Sequence, residues 1–325
     1  MIYGIADYSR FRAFENVGVF PIVQFASPIT KPTIHMVRLS DDHAQILSTS
    51  LPRASFAEMS TWGAVLSQHL PLVSKLIKKH SPLRSLCSLE EAFTVGEAYK
   101  LVEILQDNGR LKGAFRFINT GTIEPFYSLW GYSQTTYLKT KYMCPVIEKS
   151  AFKAMLPRRF AQMSSAKIVI SGMRHFEAIL DLEGEVVAGK STVVIRDIAS
   201  EDEWFCLLGI LNSQLVRFFL KECYSALAMD GGINFSPTNV GEIPLPRTLV
   251  SRELLRVAKE IMMLRKRTGP DLDATDEKHL TSLINELDEE VFQLYGLTES
   301  DKATIRDAVA PPRRSPASRH ASPTA

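Results

Sequence analysis

The chain has 325 residues, 45% hydrophobic and 23% charged, enough apolar material for a full core in one large or two medium domains, which excludes a disordered or fibrous chain. No apolar run approaches the ~18–20 residues that crossing a bilayer takes, and the opening MIYGIADYSR lacks a basic stretch followed by an apolar core, so a cytoplasmic protein with no membrane partner is expected. The net charge of +2 conceals a segregation: residues 110–196 hold 13 Lys+Arg against 6 Asp+Glu, whereas residues 197–309 hold 12 against 20.

In chain order, IYGIADYS, VGVFPIVQFAS and TIHMVRLS read as strands, with FRAFEN as a turn between the first two. Three short strands without a helix cannot bury both faces, so they need a partner surface. LPLVSKLIKKH reads as a helix. FRFINTG, KIVISGM, EAILDLEG and STVVIRD read as strands, and YLKTKY as an extended run that puts Tyr137, Lys139 and Lys141 on one face. EDEWFCLLGILNSQLVRFFLKE reads as one helix, with acidic residues in its first turn and an apolar face for the core.

Beyond Pro244 and Pro246 the pattern is wholly helical. One helix has Ser251 as N-cap and Gly269 as stop. The next carries Leu280, Leu283, Ile284, Leu287, Val291 and Leu294 on one face and closes at Gly296. The tail AVAPPRRSPASRHASPTA has no apolar period and is expected to be disordered. The expected class is α+β, divided into residues 1–45, 46–246, 247–308 and 309–325.

Residues 184–191, GEVVAGKS, fit the phosphate-loop pattern G-x-x-x-x-G-K-S. A phosphate loop must open a helix whose N-terminal amides face the phosphates. Here the β-branched TVVIRDI follows, so strand, glycine turn, strand is predicted, with Lys190 and Ser191 on the strand after a tight hairpin. SSAK at 164–167 matches S-x-x-K but lacks the companion motifs of that chemistry. The seven histidines and the cysteines Cys87, Cys144, Cys206 and Cys223 have no spacing that predicts metal ligands or a disulfide framework. No catalytic residue and no metal site is assigned.

FRFINTGTIEPFYSLWG, YLKTKYMCPVI, KIVISGMRHFEAILDLEGEVVAGKSTVVI, LLGILNSQLVRFFLKE and MDGGINFSPTNVGEIPLP together resemble the C-terminal specificity region of TaqI-like adenine-specific DNA methyltransferases of restriction-modification and phage-defence systems. The LNS helix, the Gly-rich loop after it and the I-P-x-P segment are the most specific marks, and INELDEEVFQLYGLT is similar to the helix that often follows. IADYSRFRAFENVGVFPIVQF resembles the last strand pair of the catalytic sheet. The family binds S-adenosylmethionine at a Gly-rich turn and holds adenine at an Asn-Pro-Pro-Tyr tetrad. Neither motif is present, and Met1 falls downstream of where both would lie, so the resemblance implies a recognition part without the catalytic half. Any S-adenosylmethionine would bind that half or a separate methyltransferase polypeptide.

Reading DNA takes bidentate groups in a groove and cations that fix register on phosphates. The basic region offers Tyr137, Lys139, Lys141, Arg174, Lys190 and Arg196 as candidates for double-stranded DNA, although solvated surface charge accounts equally well for each of the cations. Asn212 and Ser213 are assigned to holding neighbouring backbone, and Gly231 and Gly232 to a tight path. A protein-interaction adaptor and an inactive truncated remnant are the competing readings. Salt-dependent duplex binding separates the first of these from DNA recognition.

Overall fold

A computed structural model describes residues 1–8, 21–39, 45–57, 62–224 and 233–310. The FRAFEN turn, Gly231, Gly232 and residues 311–325 lie outside the described residues. The fold is α+β, as the alternation of strand-like and helix-like segments predicts.

The N-terminal strands form a four-stranded sheet in the order Ile22–Ala26, Ile2–Asp7, Thr33–Leu39, Gln45–Pro52. Ile2–Asp7 runs antiparallel to Ile22–Ala26 and parallel to Thr33–Leu39. Ile5, Ile34, Met36, Phe56 and Val65 make a small core beneath it. Asp7 and Arg38 form a buried ion pair across the parallel strands at 2.9 Å. Ile22–Ala26 lies at the sheet edge with Ile22, Val23 and Phe25 exposed.

The middle of the chain builds two further four-stranded sheets. One has the order Ala178–Asp181, Lys167–Ser171, Thr192–Arg196, Ser88–Glu91, all neighbours antiparallel. The other has the order Val186–Ala188, Ala114–Ile118, Pro145–Glu148, Leu105–Asp107. The first sheet is buried on both faces, because alternate residues of its strands point opposite ways. Ile168, Ile170, Val193 and Ile195 face a helical layer. Val169, Ile179 and Val194 pack with Phe115, Phe117 and Ile147 of the second sheet. This explains why Ile168, Val169 and Ile170 are apolar in succession.

The helical layer holds Glu201–Leu211, Gln214–Tyr224, Arg252–Thr268, Ala274–Leu294 and Glu299–Val309. Ser200 and Glu203 form a capping box, Ser251 accepts from the Leu254 amide, and Gly269 and Gly296 adopt positive φ where the sequence predicts helix ends. The expected stripe of the longest helix is narrower than predicted: Leu280, Leu283, Leu287 and Val291 are buried, whereas Ile284 is exposed.

One expectation is overturned in this layer. The stretch expected as a single helix is two, broken at Asn212 and Ser213. The Asn212 side chain accepts from the Ala178 amide and donates to the Ala178 carbonyl, both at 3.0 Å, and so completes the edge of the central sheet. Ser213 Oγ donates to the Ile210 carbonyl. The Asp288 carboxylate, on the longest helix, accepts the Gln214 amide at 2.7 Å and caps the second helix from outside. The L-N-S tripeptide thus bolts helices to sheet, and its polar side chains are spent on backbone.

Candidate nucleic-acid interface

YLKTKY is a hairpin and not one strand, which corrects the expected shared face. Thr135–Tyr137 pairs antiparallel with Thr140–Tyr142, and Leu138 and Lys139 form the two-residue turn with φ of 43° and 74°. Both positions need the left-handed region that Gly or Asn fills at lower cost, yet a lysine stands at the tip. Lys139 and Lys141 are exposed, and neither makes an ion pair with a described residue. Tyr137 points the other way. It is 4% exposed, its ring meets Phe117 edge-on at 4.7 Å, and burial pushes its hydroxyl up to about 12. Its role here is to root the hairpin in the second core.

Lys190 is half-buried in the turn Gly189–Ser191, and its backbone amide faces the Tyr137 hydroxyl, which places it at the base of the hairpin. The strands flanking this turn, Val186–Ala188 and Thr192–Arg196, belong to different sheets. Lys190 and Ser191 therefore precede the strand, and the expected tight hairpin is replaced by a crossing between layers. No helix follows GKS. The first motif glycine, Gly184, has φ 64°, and a Cβ there would collide with the Ser164 carbonyl. Packing accounts for that glycine.

Arg196 lies at the far end of the same strand, bound to Glu90 at 3.1 Å. Glu90 also accepts from Gln162, which in turn accepts from Arg159. The Arg159 guanidinium, hydrogen-bonded to Glu97, holds that carboxyl down at about 2. Arg196 is thus engaged within the fold. Arg174 pairs through its backbone with Ile233, and its side chain lies outside what the structure describes. The hairpin carries Tyr137, Lys139 and Lys141, Lys190 lies near the buried Tyr137, and Arg196 stands apart from them.

Next to the hairpin the structure gathers aromatic residues that the sequence reading passed over. Trp130 Nε1 donates to the Pro145 carbonyl at 2.7 Å, and the Arg116 guanidinium stands 5.1 Å from its ring centre. The Gly131 amide donates to the Met143 carbonyl, which ties this loop to the segment just after the hairpin. The Tyr127 and Tyr132 rings lie 6.2 Å apart, tilted at 52°. Burial, with help from Tyr132, raises the Tyr127 hydroxyl to about 12. Arg265, from the helix Arg252–Thr268, sits 6.0 Å from the Tyr127 ring. Gly269, at φ 67°, ends that helix directly against the Tyr132 ring tip, where a Cβ would come within 3.2 Å of the hydroxyl.

Arg110 and Lys112, both exposed, occupy the adjoining turn. Asp107 fixes that turn by accepting the Met143 amide at 3.0 Å and the Cys144 amide at 2.6 Å. Exposed cations in this turn thus accompany the Trp130–Tyr132 aromatic loop. The overlooked signal was FYSLWGYS, with aromatic residues at close intervals inside the basic region.

S-x-x-K resolves as structure. Lys167 is fully buried, donating to Asp181 at 2.5 Å and to the Met163 carbonyl, while Asp181 accepts the Glu185 and Val186 amides. Burial raises the thiols of Cys87, Cys206 and Cys223, so these are poor nucleophiles. Among the described residues no group of three or more His, Cys, Asp or Glu is placed to hold a metal, and no helix is long and apolar enough to cross a membrane.

No family model matches the chain, and no curated protein does. Among solved structures, the type IIG restriction endonuclease BpuSI is a weak neighbour, with a TM-score of 0.38 and 11% sequence identity. The match covers 90% of this chain and 44% of the other, so the chain spans less than half the length of that restriction enzyme.

Proposed function

We propose that this chain is the DNA target-recognition part of a restriction-modification or defence enzyme that modifies adenine, acting with a methyltransferase catalytic part that would bind S-adenosylmethionine and transfer the methyl group. The observation that carries the reading is the hairpin. Lys139 and Lys141 are exposed and unpaired among the described residues, Arg110, Lys112 and Arg116 are exposed too, and two of the six acidic residues of 110–196 are committed to lysines, Glu185 to Lys149 and Asp181 to Lys167. Such a surface positions a duplex through its phosphates. The sequence resemblance of the L-N-S junction and the I-P-x-P segment to the TaqI-like specificity region supports the same reading. The proposed unit lies within residues 46–246, after the strand Gln45–Pro52 that completes the N-terminal sheet begun in residues 1–45, read as the end of a methyltransferase-type sheet, and residues 247–308 form an appended helical layer.

The test is a binding titration of the intact chain on a randomised duplex pool at several salt concentrations. The reading expects affinity that falls linearly in log–log form with salt. An adaptor that binds protein, or an inactive remnant, shows no such dependence.

A further inference from the structure

Tyr132 is 57% exposed, yet it is not loose. Its ring lies 6.2 Å from the Tyr127 ring, its ring tip rests against Gly269, and its backbone amide donates to the Leu129 carbonyl at 2.9 Å. Trp130, two residues earlier, is pinned through its indole N–H to Pro145. An exposed ring fixed on one edge presents its face at small further entropic cost, which is what a stacking surface requires. Arg116 stands against the Trp130 ring and Arg265 against the Tyr127 ring, so an anionic chain that reaches this group of rings meets cations. A neutral aromatic ligand would gain nothing from those charges, and a protein helix would expect an apolar stripe in place of two guanidinium groups.

We infer that Tyr132 is a stacking platform for one unpaired nucleobase of the bound DNA, so that the surface prefers DNA carrying an extrahelical or unpaired base to a fully paired duplex. The inference rests on the DNA-recognition reading and adds the state of the DNA that is recognised. A base stacked on Tyr132 leaves its neighbouring phosphates beside Arg116 and Arg265, while the duplex continues toward Lys139 and Lys141.

The experiment uses the full chain and two fluorescent DNAs of the same sequence, one fully paired and one with a single extrahelical 2-aminopurine. Tyr132→Leu keeps bulk and loses the ring. It is expected to weaken binding to the extrahelical DNA by about 5- to 150-fold, the range for losing one base–aromatic stack, and to leave the paired duplex and the salt slope unchanged. Tyr132→Trp should retain the preference, and 2-aminopurine emission should be quenched by the unmodified chain and not by Tyr132→Leu. Equal affinity of the unmodified chain for both DNAs, or equal losses on both in Tyr132→Leu, overturns the stacking inference while salt-dependent binding leaves the recognition reading standing. Absence of salt-dependent binding to either DNA overturns both.

Discussion

Asp288 offers a quantitative test of how the L-N-S junction is held. It is 3% exposed; one carboxylate oxygen caps the Gln214 amide and the other has no hydrogen-bond partner. Burial dominates its ionisation and raises it from 3.8 to about 6, against the opposing pull of the Gln214 bonds and of Arg217. A carboxyl whose folded value exceeds its unfolded value binds its proton more tightly when folded. The charged form therefore lowers stability at neutral pH, and the loss is recovered as pH falls from about 6 to about 4. The shift of about 2 pH units corresponds to roughly 3 kcal/mol at most.

Asp288→Asn keeps an oxygen for the Gln214 amide and removes the buried charge. It should be at least as stable as the unmodified chain at pH 7.5 and should lose the gain in stability between pH 6 and 4 that this residue confers. Asp288→Ala orphans the amide as well and should cost about 1–3 kcal/mol at pH 7.5 relative to Asn. Urea unfolding of the three proteins at pH 4.5, 5.5 and 7.5 measures both effects. If Asn and Ala destabilise equally at pH 7.5 and both keep the acid-side gain, the assignment of a buried, charged cap is wrong.

The elements legible in the sequence were those set by neighbouring residues. The IVI of KIVIS is β-branched and apolar, Ser200 and Glu203 stand at capping-box spacing, and Ser251 and Gly269 bracket a helix, so local chemistry sufficed. The break at Asn212 was hidden because its partner is Ala178 in a distant strand, and an apolar period continues unbroken through L-N-S. The hairpin in YLKTKY was hidden because Leu138 and Lys139 occupy left-handed positions with neither Gly nor Asn to announce them. The aromatic surface could not be assembled from sequence, since Tyr132 depends on Gly269 and Trp130 on Pro145.

Lys167→Met removes one partner of the buried pair and strands Asp181, so thermal or urea unfolding should show a loss of about 3–5 kcal/mol, and a change below 1 kcal/mol would contradict that role. Because GKS precedes a strand, ATP and GTP titrations should show negligible binding, unchanged in Lys190→Ala; saturable binding abolished by that substitution would restore a phosphate loop. The exposed edge strand Ile22–Ala26 is expected to drive self-association, so Phe25→Lys should shift light scattering toward smaller species, and an unmodified chain that is already a monodisperse monomer would contradict this.

The proposed function turns on whether Lys139 and Lys141 meet phosphates. Duplex binding by the unmodified chain and by the double variant Lys139→Ala/Lys141→Ala, titrated across a range of salt, is the direct measurement. If both lysines contact phosphates, the double variant binds more weakly at every sequence, and its log–log salt slope falls by about 2, one for each lost contact. An unchanged slope, or no salt-dependent binding by the unmodified chain even with a methyltransferase partner present, contradicts the account.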